Sequence, residues 1–192
     1  MGSFARTWFF FALPLFAAIT PAQTLYSSVS HFAVEDLGGQ RVNYSSFHGN
    51  VTVVIFVSAR CPISNAFNFR INELYKQFHQ NARFLVVDPN ANESVEEIRA
   101  HAKSMEYDFA VYRDPDNALA DLLGAKATPD SFVIDKNGKI SYHGYIEDAP
   151  NPERSKNHAL RQAIEAALQD RPAPVAETHA RGCAIHRAHP VS

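Results

Sequence analysis

The chain has 192 residues, of which 46% are hydrophobic and 20% are charged, and its formal net charge is −2. This composition is typical of a globular protein, and the length suits one domain with extensions at its ends. The near-neutral charge excludes the general basic surface that holds nucleic acid or an anionic membrane. We therefore expect no nucleic-acid partner.

An apolar run near the N-terminus predicts a signal peptide over residues 1–22. Arg6 precedes the run, which extends from Trp8 to Ile19, and Thr20-Pro21-Ala22 then supplies small residues for a signal-peptidase site. The run is shorter than the roughly 20 apolar residues that a membrane-spanning helix needs. We predict cleavage near Ala22, export to the periplasm or out of the cell, and no stable membrane insertion. The alternative is an uncleaved membrane anchor.

The first patterns of the mature chain are a buried strand and a long helix. Residues 23–40 are expected to be irregular, with a turn at Gly38-Gly39. Residues 51–57 form a continuous β-branched and aromatic run, which predicts a strand buried on both faces. Apolar residues then recur every three or four positions, which predicts an amphipathic helix from near Cys61 to about Gln80.

The next segment repeats this alternation of strand and helix. Residues 83–87 form a second short apolar run. Ser94-Val95-Glu96-Glu97 has the form of a capping box, which predicts a helix that extends to about Ser104. A short strand at 109–112 and a short helix at 117–123 follow.

A hairpin and a last helix complete the predicted domain. Residues 131–134 and 139–143 flank a turn sequence, Asp135-Lys136-Asn137-Gly138, and a helical pattern covers 159–168. We predict an α/β fold, a mixed central sheet flanked by helices on both faces, in one domain over residues 23–170. A proline-rich linker and a polar tail that carries Cys183 are predicted over residues 171–192.

Cys61 is the candidate reactive group, because it lies where a buried strand is followed by a helix. Thiol chemistry uses the thiolate, and a helix N-terminus lowers the pKa of a cysteine there. Arg60 adds positive charge, and Pro62 is compatible with the first helical turn. The alternative is an inert, buried structural cysteine.

The sequence resembles the thioredoxin superfamily in the order of its segments. A strand precedes Cys61-Pro62-Ile63-Ser64-Asn65, and Thr128-Pro129 precedes the hairpin strands. The resemblance is closer to exported redoxin-like proteins of the AhpC/TSA type, through residues 128–135, 138–144 and Gly182-Cys183-Ala184-Ile185. It implies a thioredoxin-like fold, a catalytic Cys61, and a cis Thr128–Pro129 bond whose loop packs against Cys61 and presents its backbone to an extended substrate.

Departures from that family narrow the expected chemistry. Ser64 stands where a dithiol thioredoxin has its second cysteine, and Ile55 stands where thioredoxins carry a buried acid. A typical peroxiredoxin has a threonine or serine three residues before its cysteine and a proline seven residues before it. Ser58 matches the first of these positions, but Val54 stands where the proline should be. Cys61 is therefore predicted to be a monothiol, with Ser58, Arg60, Pro62 and Ser64 forming its environment.

The predicted function is that of a thiol-dependent oxidoreductase with redoxin-like antioxidant activity. Cys61 attacks a protein or small-molecule disulfide, or a peroxide, and Cys183 or an external thiol reductant resolves the intermediate. The alternatives for Cys183 are a free tail thiol and an intermolecular disulfide. No cofactor is predicted.

Two non-enzymatic alternatives stay open at this point. Cys183 lies among His179, His186 and His189, which are ligand types suited to copper or zinc, so a metal-binding or delivery protein is one of them. A binding module on the same fold is the other. Outside these motifs, Arg70 is expected to be exposed, and Glu147 is expected to be a loop acid without a basic partner.

Overall fold

The computed structural model describes residues 27–45 and 49–189, so the predicted signal peptide lies outside the described residues. The strands are β1 Phe32–Glu35, β2 Arg41–Tyr44, β3 Val51–Phe56, β4 Ala82–Asp88, β5 Val111–Arg113, β6 Ala127–Thr128, β7 Asp130–Ile134, β8 Ile140–Gly144 and β9 Cys183–Ala184. The helices are α1 Pro62–Asn65, α2 Asn68–Phe78, α3 Val95–Ser104, α4 Ala118–Leu123 and α5 Ala159–Leu168. Among the described residues, the helices are too short to cross a bilayer.

Seven strands form a mixed central sheet in the order β2-β1-β5-β4-β3-β7-β8. The β3–β4 and β4–β5 pairs are parallel, and the β1–β2, β1–β5, β3–β7 and β7–β8 pairs are antiparallel. Strand β3 is buried along its whole length, as its β-branched run predicts. The predicted α/β class with a mixed sheet is confirmed.

Helices cover both faces of this sheet because successive side chains of β3 point in opposite directions. Val53 and Ile55 belong to a core that also contains apolar residues of α2, α3 and α5. Val54 and Phe56 belong to a second core that contains residues of α4 and β1. The carboxyl end of β3 thus emerges between two packed layers, and Cys61 follows it.

The predicted helix from Cys61 to about Gln80 is divided into α1 and α2. Phe67 N donates to the carbonyl of Ser64 at 3.0 Å, a tight turn that ends α1. The side chain of Ser64 is fully buried, and its Oγ accepts a hydrogen bond from Ser58 N at 3.2 Å. This buried link holds α1 against the end of β3.

The segment that was expected to be irregular contains strand β1. Phe32 and Val34 are buried, and their neighbours are partly exposed, so this strand alternates with a period of two. It pairs with β2 around the predicted turn, where the side chain of Asp36 accepts from Gly38 N and Gln40 N at 2.8 Å. A four-residue strand with two buried apolar residues is too short to give a periodic signal.

The segment after Asp170 packs on the sheet. Thr178 N donates to the carbonyl of His143 at 2.9 Å, and Thr178 Oγ1 lies 2.8 Å from the hydroxyl of Tyr142. Strand β9 pairs with β6, and Ile185 is buried in the second core. The proline-rich stretch therefore leads the chain back across the domain.

Candidate redox site

Cys61 is the N-cap residue of α1 and is 2% exposed. Its backbone is extended and Pro62 occupies the first turn, which is the arrangement that proline favours at a helix start. Ser64 N donates to Cys61 Sγ at 3.4 Å, so a backbone N–H is already directed at the sulfur. A negative sulfur is stabilised by such a donor.

Cys61 and Cys183 form a disulfide bond. Their Cα atoms are 5.9 Å apart, within the range that a disulfide requires, and 122 positions separate them in the sequence. Of the alternatives that the sequence left open for Cys183, the structure has a bond to Cys61 within the chain rather than a free tail thiol.

The Thr128–Pro129 peptide bond is cis, as the resemblance implied. The carbonyl oxygen of Thr128 lies 3.2 Å from Cys61 Sγ, so this loop packs against the cysteine. Thr128 also pairs with Cys183 in the antiparallel β6–β9 ladder. The tail thus occupies the backbone edge of Thr128, which was expected to face an extended substrate.

Gly182 allows this close approach. A Cβ at residue 182 would lie 2.0 Å from the carbonyl oxygen of Thr128 and 2.5 Å from its carbonyl carbon. Both are backbone atoms, so a side chain at this position requires the strand itself to move.

Gly182→Ala is therefore expected to lower the equilibrium constant for closing the Cys61–Cys183 disulfide by about tenfold, because such overpacking costs roughly 1–3 kcal/mol. The measurement is the fraction of oxidised protein in a series of glutathione redox buffers. Gly38→Ala is the matched control, since its Cβ would meet only the flexible side chain of Asp36, at 3.1 Å. Equal constants for Gly182→Ala and wild type would contradict the assigned role of Gly182.

Ser58 links Cys61 to the neighbouring loop. Its Oγ accepts from Cys61 N at 3.0 Å and from Arg60 N at 3.2 Å, and it donates to Glu93 Oε1 at 2.5 Å. Ala59 N donates to Glu93 Oε2 at 2.7 Å. The turn before Cys61 is therefore held by one buried carboxyl group.

The side chain of Arg60 extends into solvent. It is 51% exposed and forms an ion pair with Glu97. Hydrogen bonds from Ser94 and Arg60 lower the pKa of Glu97 to about 2. The positive charge that was predicted beside Cys61 is thus largely balanced by Glu97.

Two cavities flank the disulfide region. One, of about 350 Å³, is lined by both cysteines together with Ser58, Asn90, Glu93 and His186. The other, of about 370 Å³, is lined by apolar residues that include Ile63, Phe67 and Pro129, and also by Glu147, Asp148, His179 and Arg181. Only the first of these cavities reaches the cysteines.

Sequence reasoning missed Glu93 and Asp88. Glu93 is 3% exposed and Asp88 is 2% exposed. Asp88 ends β4, which is parallel to β3, so both chains reach the same edge of the sheet there. Both acids lie at the end of β4 or shortly after it, at the same edge of the sheet at which Cys61 follows β3, and polar residues after neighbouring parallel strands are a signal that could have found this pair.

The expected exposure of Arg70 was wrong, and so was the expected lack of a basic partner for Glu147, although Glu147 does lie in the loop after β8. Arg70 is 14% exposed and its Nε donates to Glu147 Oε2 at 3.1 Å, and Glu73 also contacts its guanidinium. Glu147 is 6% exposed and lies 2.8 Å from the ring of His158. These residues are 77 positions apart in the sequence, so the pairing has no local signal.

The metal-binding alternative is not favoured. Both cysteine sulfurs are used in the disulfide. Within residues 27–45 and 49–189, no group of three or more His, Cys, Asp or Glu side chains is arranged to hold a metal ion.

Solved structures share this fold. A hypothetical protein from Sinorhizobium meliloti 1021 matches with a TM-score of 0.77 and 25% identity over 88% of this chain and 98% of that chain. A putative thioredoxin from Neisseria meningitidis matches with a TM-score of 0.61 and 24% identity over 77% and 93%. A putative thiol:disulfide interchange protein DsbE from Chlorobium tepidum matches with a TM-score of 0.58 and 26% identity over 77% and 99%. The fold and the site define a thioredoxin-like protein with a paired cysteine at the start of its first helix.

The model of the AhpC/TSA family matches residues 27–143, which is more than half of the chain. The chain belongs to this family. Thiol-disulfide oxidoreductases ResA from Bacillus thuringiensis subsp. konkukian and Bacillus cereus are 26% identical to it over 110 residues, 57% of this chain. The match spans 63% of the length of each of these relatives.

Proposed function

We propose that the protein is a thiol–disulfide oxidoreductase that cycles between the Cys61–Cys183 disulfide and the corresponding dithiol. The single observation that carries this proposal is the disulfide itself, which joins a helix N-cap to a tail strand across the backbone of Thr128. The similarity to thiol-disulfide oxidoreductases ResA supports the same activity.

Cys61 is the nucleophile in the reduced protein. The N–H group of Ser64 stabilises its thiolate, and the carbonyl of Thr128 holds the thiol when it is protonated. The thiolate attacks one sulfur of a disulfide, a new S–S bond forms, and the partner's other sulfur leaves with the electron pair. Cys183 then attacks Cys61 and releases the reduced partner.

The reverse half of the cycle begins at Cys183. Cys183 is partly exposed, whereas Cys61 is 2% exposed, so an external thiol reaches the sulfur of Cys183 first. Cys61 then leaves as a thiolate that Ser64 already stabilises, and a low-pKa thiol is the better leaving group. A second external thiol releases Cys183.

Peroxide reduction is the second candidate activity, and the polar cavity favours it. While β9 is paired with β6, the cavity of about 350 Å³ reaches both cysteines and has room for a small oxidant. The thiolate of Cys61 then attacks one oxygen of the peroxide, the O–O bond breaks, and the other oxygen leaves with the electron pair and takes up a proton as water or an alcohol. Cys61 is left as a sulfenic acid. Cys183 converts it to the disulfide and releases water.

The other predicted site residues keep supporting roles. Thr128 and Pro129 form the loop that packs on Cys61, and Pro62 starts its helix. Ser58 and Ser64 fix the turn, and Arg60 faces solvent with Glu97. The cavity beside Pro129, which has apolar and charged lining residues, is the surface that a protein partner would contact.

The protein works outside the cytoplasm, in the periplasm or after secretion, once residues 1–22 are removed. The apolar run that ends before Ala22 and the presence of a disulfide both support this location, since disulfides persist in oxidising compartments. Residues 23–170 form the redoxin domain, and residues 171–192 return Cys183 to it.

A redox titration tests this function. We expect no alkylatable thiol in the oxidised protein, two after reduction, and a reversible transition within glutathione buffers, read by intact mass. The protein is also expected to catalyse reduction of a disulfide or of hydrogen peroxide at the expense of a dithiol. A bond that stays closed in excess reduced glutathione, with no turnover, would identify the disulfide as purely structural.

A further inference from the structure

Strand β9 covers the backbone edge beside Cys61 that an extended polypeptide substrate would need. β9 pairs with β6 in an antiparallel register that places Cys183 opposite Thr128. Gly182 packs so closely on this edge that a Cβ there would lie 2.0 Å from the carbonyl oxygen of Thr128. Backbone groups that are engaged in such a ladder are not free to pair with a second strand. A polypeptide can therefore add to this edge only after β9 has left it.

Hydrogen bonds that do not involve the disulfide hold the tail on the domain. They are Ile185 N to Lys126 O at 3.1 Å, Ala91 N to His186 O at 2.9 Å, His186 N to Asn90 Oδ1 at 3.0 Å and Ala188 N to Asn117 Oδ1 at 2.8 Å. Asn90 is 4% exposed and Asn117 is 1% exposed, so water competes little for their side-chain oxygens. The tail is thus joined to three separate segments of the domain.

Two side chains of the tail add to these hydrogen bonds. Ile185 is buried in the second core, and the burial of an apolar side chain of this size is strongly favourable. Arg187 donates to the carbonyl of Ala125 at 2.7 Å and forms an ion pair with Asp121. These contacts do not depend on the S–S bond, so we expect β9 to stay paired with β6 in the dithiol form.

The docked tail also forms one wall of the cavity that leads to the two sulfur atoms. Ala184 and His186 line this cavity together with both cysteines. Its volume of about 350 Å³ is near the lower end of the roughly 300–1,000 Å³ that is typical of small-molecule sites. Cys61 is 2% exposed, so a reactant has to be small enough to enter this cavity. The cavity beside Pro129 is lined by neither cysteine.

We propose that the docked tail determines the substrate class, because it admits low-molecular-weight disulfides such as cystine to Cys61 and excludes extended polypeptides. The inference rests on the proposed function. The Cys61 thiolate attacks one sulfur of the small disulfide, a new S–S bond to Cys61 forms, and the other half leaves with the electron pair as a thiolate. Cys183, held opposite Thr128, then forms the internal disulfide and releases the first half as a thiolate.

An extended polypeptide reacts only from a state in which the tail has been displaced. That displacement exposes Ile185 and breaks the hydrogen bonds of the tail with the domain. A minor state of a protein is typically populated at about 0.1–10%. The apparent rate with a polypeptide is lowered in the same proportion, whereas a small disulfide reacts with the major state.

The test compares two probes in a Cys183→Ser background, which isolates the attack by Cys61. The probes are cystine and a disulfide-linked dimer of a short unstructured peptide, and intact mass follows formation of each mixed disulfide. Ile185→Asp is added to release the tail, because it places a charge in the second core. We expect it to raise the rate with the peptide, relative to the rate with cystine, by at least about tenfold. Val175→Asp, at an exposed apolar position of the proline-rich stretch, is expected to leave this ratio unchanged.

A second variant covers the case in which Ile185→Asp does not fold. Gly182→Ala directs a Cβ at the backbone of Thr128, so it is expected to change the ratio in the same direction. An unchanged ratio in the folded variants overturns the inference, as does rapid tryptic cleavage at Arg181 in the Cys183→Ser parent. If that parent forms no adduct with either probe, the proposed function fails. If it forms both adducts and the ratio does not depend on the tail, only this inference fails.

Discussion

Cys61→Ser is expected to abolish turnover, with a loss of at least about 1,000-fold, because a serine hydroxyl at neutral pH is a far weaker nucleophile than a thiolate. Cys183→Ser is expected to behave differently. Its Cys61 still attacks a disulfide, but no second thiol lies beside Thr128 to release the partner. The variant should therefore accumulate a mixed disulfide between Cys61 and the partner, which intact mass spectrometry detects after acid quenching.

Ala184→Ser is the matched control for this pair of variants. It places a serine one residue further along the same two-residue strand, at an exposed position. We expect wild-type turnover and no trapped adduct. Equal activity in Cys183→Ser and wild type, without excess external thiol, would show that Cys183 does not resolve the intermediate.

Local patterns in the sequence predicted most of the fold. The β-branched run of β3 predicts a fully buried strand, and the structure has one. Ser94 and Glu97 form the predicted capping box at the start of α3. Each of these signals lies within a few neighbouring residues, so the physical cause is present in the local sequence. Strand β1 was missed because its partners, β2 and β5, determine that it is a strand.

The site was predictable only where a motif marked it. Cys61 and Thr128–Pro129 lie in recognisable sequence motifs. Cys183 could be named as a partner because the chain has only one other cysteine. The contact between Ser58 and Glu93 joins residues 35 positions apart and has no motif. Whether a carboxyl group is buried beside a cysteine depends on how two parallel strands align. That alignment is set by tertiary packing and cannot be read from neighbouring residues in the sequence.

Reduction of the Cys61–Cys183 disulfide is expected to lower the free energy of unfolding by about 5 kcal/mol. The bond closes a loop of 122 positions, and a cross-link over a loop of this length removes a large entropy from the unfolded chain. The measurement is chemical unfolding followed by far-ultraviolet circular dichroism, with and without a reductant. The Cys61→Ala/Cys183→Ala double variant is the control, and it should show the same loss and no response to reductant.

Tryptic cleavage of the tail in the two redox states shows whether the disulfide alone holds the tail in place. Backbone hydrogen bonds from Ala91 N to His186 O at 2.9 Å and from Ile185 N to Lys126 O at 3.1 Å do not depend on the disulfide. If they keep the tail docked after reduction, trypsin should cut at Arg181 and Arg187 no faster in the reduced protein than in the oxidised protein. Cys183 then stays close to Cys61 throughout the cycle, and resolution is fast. Rapid cleavage at both arginines on reduction would instead show that the disulfide alone holds the tail in place.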